Sequence, residues 1–210
     1  MKQLSVDGVE IACLDAGKGP AVIIGHCSSA SHKEWLPLIE TLKSEWRVLA
    51  PDLIGYGQSA PWPADQPFSV GADVDVVHAI AKKAKGKLHL VGHSYGAALL
   101  LEAARTLGAR VKSLTLVEPS LFHLLRGRPE WAEVQTLARA VLGAVARGDD
   151  RAAAKSFMTY WLGRWRWSLP PEVSKRRSRQ RFPRWRSNLV SSPTRQPPCK
   201  TMPQSPRPRC

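Results

Sequence analysis

Lys87-Leu88-His89-Leu90-Val91-Gly92-His93-Ser94-Tyr95-Gly96-Ala97-Ala98-Leu99-Leu100-Leu101 is the stretch on which the reading of this chain turns. Its first five residues are a short apolar run with strand character, and from Ala97 to Leu107 the apolar positions recur at helical spacing, with Gly108 placed to cap the end. A serine at such a strand-to-helix turn needs small residues two before and two after it, because the backbone is tight and the hydroxyl must stand clear of the sheet end. Gly92 and Gly96 meet that need.

Outward from this turn, strand-like and helix-like segments alternate over the first 120 residues, which predicts an α/β fold with helices on both faces of a sheet. Gln3 to Val6 and Val9 to Leu14 flank Asp7-Gly8, a hairpin signal. Ala21 to Ile24 is continuously apolar, as in a strand buried on both faces. A helix is expected from His32 to Ser44, a strand from Trp46 to Ala50, a helix from Val70 to Ala84 and a strand from Val111 to Val117. Beyond Pro119 the pattern is helical only: Trp131 to Ala146, the turn Gly148-Asp149-Asp150, then Arg151 to Trp161.

The net charge of +14 suggests nucleic acid or a membrane surface until its distribution is examined. From Arg164 onward there are 13 Lys or Arg residues against the single acid Glu172, so the remainder carries only about +2. No run approaches the roughly 20 apolar residues of a membrane span, and the start is too short and polar for a secretory leader, so a cytoplasmic address is expected. Cys13, Cys27, Cys199 and Cys210 show no ligand spacing and no phosphate-binding loop is present, so neither disulfide, metal nor cofactor is expected.

Two further loops carry small or polar residues after strands: Gly25-His26-Cys27-Ser28, and Pro51-Asp52-Leu53-Ile54-Gly55-Tyr56-Gly57-Gln58-Ser59. With Gly92-His93-Ser94-Tyr95-Gly96 they make the chain resemble the α/β-hydrolase superfamily over residues 1 to about 172. The resemblance implies the first six strands of the hydrolase sheet (1–120, incomplete), a partial helical cap (121–172), and Ser94 as nucleophile of acyl transfer on a small ester, lactone or similar substrate. It makes the Tyr95 amide one oxyanion donor and the Ser28 amide the other, with Cys27 standing where the family has glycine and His26 as a structural hydrogen-bonder. Cys27 reads either as packing or as a second nucleophile, and no basic partner for it is evident from the sequence. Trp131, Phe157, Trp161 and Trp165 would favour an apolar acyl group if they line the site; aromatics at helical spacing equally read as core.

The resemblance also requires an acid and then a histidine after the nucleophile. Glu118 is a candidate acid at a strand end, though Glu118-Pro119 also reads as a plain strand stop. The six histidines are His26, His32, His78, His89, His93 and His123, so none lies in the expected place and His123 is too close in sequence to approach Ser94 from the usual side. After Leu169-Pro170-Pro171 periodicity is lost, and residues 173–210 read as a disordered Pro/Arg/Ser-rich tail. A reading-frame slip is one expectation for that change: with GC-rich codons chosen, the displaced frame of Ser174 to Cys210 can be read as a helical run, a polar link and an apolar strand. The alternative is a non-catalytic hydrolase-like scaffold whose tail, with Trp165, Trp167, Phe182 and Trp185 among arginines, binds nucleic acid or anionic membrane. A specific nucleic-acid or membrane partner is not expected, because the tail has no helical moment; the oligomeric state is left open.

Overall fold

The computed structural model describes residues 1–63 and 69–162. The tail, residues 163–172 of the expected cap, and the aromatics Trp165, Trp167, Phe182 and Trp185 lie outside the described residues.

The chain opens on a hairpin, β1 (Lys2–Val6) and β2 (Val9–Ala16), turned by Asp7 at φ 48° and Gly8 at φ 80°. Positive φ at both central turn residues matches the right-handed twist of the strands, which is why Asp-Gly sits there. Next come β3 (Ala21–Gly25), a 3-10 turn (His32–Trp35), α1 (Leu36–Leu42) and β4 (Arg47–Pro51). The helix expected from His32 to Ser44 is thus split, because Pro37 falls at the start of α1 and cannot donate a bond into the preceding turn. α2 (Val70–Lys83), β5 (Leu88–His93), α3 (Tyr95–Leu107) and β6 (Val111–Val117) follow, with Gly108 capping α3 at φ 52°.

Among the described residues these strands form one six-stranded sheet in the order β1-β2-β4-β3-β5-β6. The β1–β2 and β2–β4 pairs are antiparallel; β4, β3, β5 and β6 run parallel. All five residues of β3 are buried, and its side chains alternate between two cores. Ile23 packs with Leu49, Leu88 and Leu90 beneath α2 and α3, while Val22 and Ile24 pack with Val48, Ala50 and Ile39 of α1 on the other face. Helices therefore cover both faces, as a parallel sheet requires.

α4 (Trp131–Ala146) and α5 (Asp150–Leu162) form a helical hairpin with its own small core of Leu137, Val141, Ala144, Val145, Ala153 and Ala154. Asp149 Oδ1 accepts the Ala152 amide at 2.9 Å and so caps α5, one residue earlier than the Asp149-Asp150 pair alone would decide. Phe157 packs against that core, as one of the two readings of the hairpin aromatics expects, while Trp161 is 46% exposed and touches Phe122, Phe157 and Tyr160. No helix among the described residues is long and apolar enough to cross a membrane.

Candidate functional site

From β3 the chain crosses to β4 on one side and later to β5 on the other, so the sheet order reverses between β3 and β5. The end of the sheet where the order reverses, outside the carboxyl ends of those two strands, is the position at which open α/β sheets bind ligands. Gly25 lies directly opposite Gly92 in the ladder, so the turn after β3 and the turn after β5 open at the same level.

Ser94 occupies the β5–α3 turn at φ 52° and ψ −114°, a region that only glycine enters freely. Holding a serine there costs about 1–3 kcal/mol, and such strain persists only where the surroundings over-determine it. Here they do: a Cβ on Gly92 would lie 2.6 Å from Ala97 Cα, and one on Gly96 would lie 2.5 Å from Gly25 C and O. The two glycines let α3 start hard against the sheet, and the half-buried Ser94 is lifted out of the strand. Its amide is anchored on Val117 O at 2.9 Å, and its carbonyl accepts the amide of Ser120 at 3.2 Å. The Ser94 and Ser120 hydroxyls share a hydrogen bond of 2.9 Å.

Tyr95 is the first residue of α3; its ring is buried and its hydroxyl donates to Asp73 Oδ2 at 2.8 Å. The same Asp73 accepts the Ile54 amide through Oδ1 at 3.1 Å, tying the elbow to the loop after β4. His26 is fully buried: the Leu53 amide donates to its Nε2 at 3.0 Å and its Nδ1 donates to Cys27 O at 2.8 Å. Those partners specify a neutral ring with the proton on Nδ1, so His26 pins two loops together and has no nitrogen left for proton transfer. Asp52 is also fully buried and accepts His32 N at 2.7 Å, His32 Nδ1 at 2.8 Å and Gln58 N at 2.8 Å.

Ser28 is half-buried in the loop after β3, followed by Ser29 at φ 66°. Cys27, also half-buried, donates its backbone amide to Glu34 Oε2 at 2.8 Å. The other oxygen of that carboxylate receives His93 Nδ1, and His93 Nε2 stands 3.9 Å from Glu118 Oε2. Cys27 Sγ, a Glu34 oxygen and a His93 ring nitrogen all lie within 4.8 Å of one another. β5 runs beside β3 and so brings the His93 ring within 4.8 Å of the Cys27 thiol across 66 residues, a neighbour that the sequence alone does not show. Glu118 follows the last residue of β6 at φ 45°, with its side chain 84% exposed and turned toward His93. His123 is exposed in the 3-10 turn Phe122–Leu125.

Glu34, Asp52, Asp73 and Ser120 complete the site and were not singled out from the sequence as site residues. Asp52 carried a signal, since an aspartate between a strand end and a Gly-x-Gly turn has amides to accept; Gly57 lies so close that an added Cβ would overlap the carboxylate. Glu34 and Ser120 carried none, because their partners are distant in the chain.

Comparison with known proteins places these loops in context. A family model described as "alpha/beta hydrolase fold" matches residues 20–188. The chain is 33% identical over 121 residues to "Probable lysophospholipase BODYGUARD 3" of Arabidopsis thaliana, which covers 55% of this chain and 24% of that protein. It is 31% identical over 159 residues to the pimeloyl-[acyl-carrier protein] methyl ester esterase of Methylococcus capsulatus, covering 75% of this chain and 57% of the esterase. The crystal structure of an alpha/beta hydrolase from Sphaerobacter thermophilus superposes with a TM-score of 0.59 at 25% identity, over 90% of this chain and 69% of the other. The chain thus spans about a quarter to under two thirds of the length of these two curated relatives.

Proposed function

Because the chain belongs to the α/β-hydrolase fold family, we propose that Ser94 is the nucleophile of a serine hydrolase acting by acyl transfer on a small ester, lactone or similar substrate. The observation that carries this reading is the strained φ of Ser94 at the end of β5, held between two glycines that no larger residue could replace. A hydroxyl there attacks an ester carbonyl, and the acyl group passes to water in a second step. The Tyr95 amide at the head of α3 and the Ser28 amide supply the oxyanion donors, the first reinforced by the helix dipole. Cys27 in the glycine position still leaves the loop closed, since Ala30 N bonds Cys27 O at 3.3 Å. The esterase named among its relatives supports an ester as substrate class.

In this reading α4 and α5 are part of the cap, and the address is cytoplasmic. Ser94 has a serine where the mechanism wants a base: its hydroxyl meets Ser120, and no histidine follows His123 in the sequence. A hydroxyl cannot hold the proton that a histidine would take, so hydrolysis by this chain is slow, limited to what oxyanion binding alone provides. Residues 173–210 are read as the product of a slipped frame, on the loss of helical and strand periodicity and the rise of Pro, Arg and Ser after Pro171. Glu118 would be the acid partner of a histidine supplied by the other frame.

The test is hydrolysis of p-nitrophenyl butyrate by the chain and by Ser94→Ala. Weak turnover lost in the variant supports the assignment; turnover unchanged in Ser94→Ala overturns it. The gene's nucleotide sequence tests the slip, which fails if the displaced frame meets stops at once or encodes no late histidine.

A further inference from the structure

Cys27, Glu34 and His93 present a thiol, a carboxylate and an imidazole from three separate elements: the loop after β3, the 3-10 turn before α1, and the last position of β5. Sulfur, oxygen and nitrogen donors in one cluster, all partly open to solvent, match the borderline-soft preference of zinc rather than that of calcium or magnesium. We propose that these three side chains form a site for a zinc-like divalent cation, with a fourth position open to solvent or a small ligand.

The geometry needs little change. Around a tetrahedral zinc the three donor atoms would sit about 3.3–3.6 Å apart. The present separations are all within 4.8 Å, so rotation of the side chains by about 1 Å closes the set. The contact between His93 Nδ1 and Glu34 Oε1 holds a proton where the cation would go; with the proton moved to Nε2, Nδ1 becomes a ligand and the metal replaces the hydrogen bond. Glu34 is already oriented by the Cys27 amide on its other oxygen, the kind of outer contact that fixes a ligating carboxylate. His93 stands edge-to-face with Trp35, whose indole Nε1 donates to Gly25 O at 3.2 Å, so the imidazole is backed by an anchored ring.

The ligands are neighbours of the proposed nucleophile and oxyanion donor without being those groups: His93 precedes Ser94, and Cys27 precedes Ser28. An ion held there would fix the loop after β3 against the end of β5.

The experiment is titration of the purified full chain with Co²⁺, a spectroscopic stand-in for zinc, followed by displacement with Zn²⁺. One equivalent should bind with a thiolate-to-cobalt charge-transfer band in the near ultraviolet and an intense tetrahedral visible band. Cys27→Ser should remove the charge-transfer band, and His93→Gln and Glu34→Gln should each weaken binding by about tenfold or more. The double variant Cys199→Ser/Cys210→Ser, which leaves all three proposed ligands in place, should keep the band. The proposal is overturned if the chain takes up no cobalt, or if the band survives Cys27→Ser and is lost in the double variant. These readouts do not depend on hydrolysis, so they stand or fall apart from the assignment of Ser94.

Discussion

Replacing Gly96 by alanine should be one of the most damaging single-methyl additions in this protein. The new Cβ would lie 2.5 Å from Gly25 C and O and 2.6 Å from His26 O, so it meets backbone and not the tip of a movable side chain. To reach ordinary contact, the start of α3 must retreat from β3 by about 0.5–0.9 Å. The start of α3 is also packed close on β5, where a Cβ added to Gly92 would lie 2.6 Å from Ala97 Cα, so a shift at Gly96 disturbs a second tight contact. Overpacking of this kind costs about 1–3 kcal/mol, and a clash against two backbone segments belongs at or above the top of that range. Gly148→Ala is the control: Gly148 has φ 72° and open space around its Cβ position, so only the left-handed backbone penalty of about 1 kcal/mol applies. Urea unfolding followed by circular dichroism gives both values from the shift in midpoint at constant slope. If Gly96→Ala proves no more destabilising than Gly148→Ala, the packing argument for the elbow is refuted.

Other consequences are open to measurement. The Arg47 guanidinium, which bonds Asp15 with Nε at 2.9 Å and one terminal nitrogen at 2.8 Å, holds the Asp15 carboxyl down to about 2 from 3.8, helped by Lys2. Because the folded value lies below the unfolded one, the stabilisation is present above pH ~4 and fades as pH falls toward ~2; with solvent screening of the partly open pair it amounts to about 1 kcal/mol. The stability gap between wild type and Asp15→Asn, from urea midpoints across that window, should therefore shrink toward the acid end. Asp52→Ala would strand two buried donors, His32 N and His32 Nδ1, and a third that is partly buried, Gln58 N, and should cost about 2–4 kcal/mol in the same assay. Burial, reinforced by Asp15 and Asp52, pushes the Cys13 thiol up to about 12, so at pH 8 it should react with a disulfide reagent only as fast as the protein unfolds, whereas the half-buried Cys27 should react at once. Ser120→Ala removes the hydroxyl that orients Ser94 and should change ester turnover a few-fold while shifting stability by about 1 kcal/mol or less, as read from parallel rate and urea measurements.

The strands, helices and the strained serine turn were legible in the sequence because each is a local fact. The continuous apolar run from Ala21 to Ile24, helical spacing after Ala97 and the glycines flanking Ser94 act over a few residues, and the structure keeps them with shifts of one or two positions. The split at Pro37 is the clearest departure, where one ring overrode an apolar repeat that continued past it.

What only the tertiary structure decided is who stands beside whom. The order β4-β3-β5-β6 places Val117 opposite His93, which brings Ser120 to Ser94 and Glu118 toward His93. It also gathers Cys27, Glu34 and His93, whose spacing in the chain resembles no ligand motif. The physical reason is that strand pairing is set by which apolar faces bury together across the whole sheet, a sum over distant residues that no local window contains. The sequence by itself determined that Ser94 would be raised out of a strand; the sheet determined that the Ser120 hydroxyl would meet it there, because β6 pairs beside the end of β5.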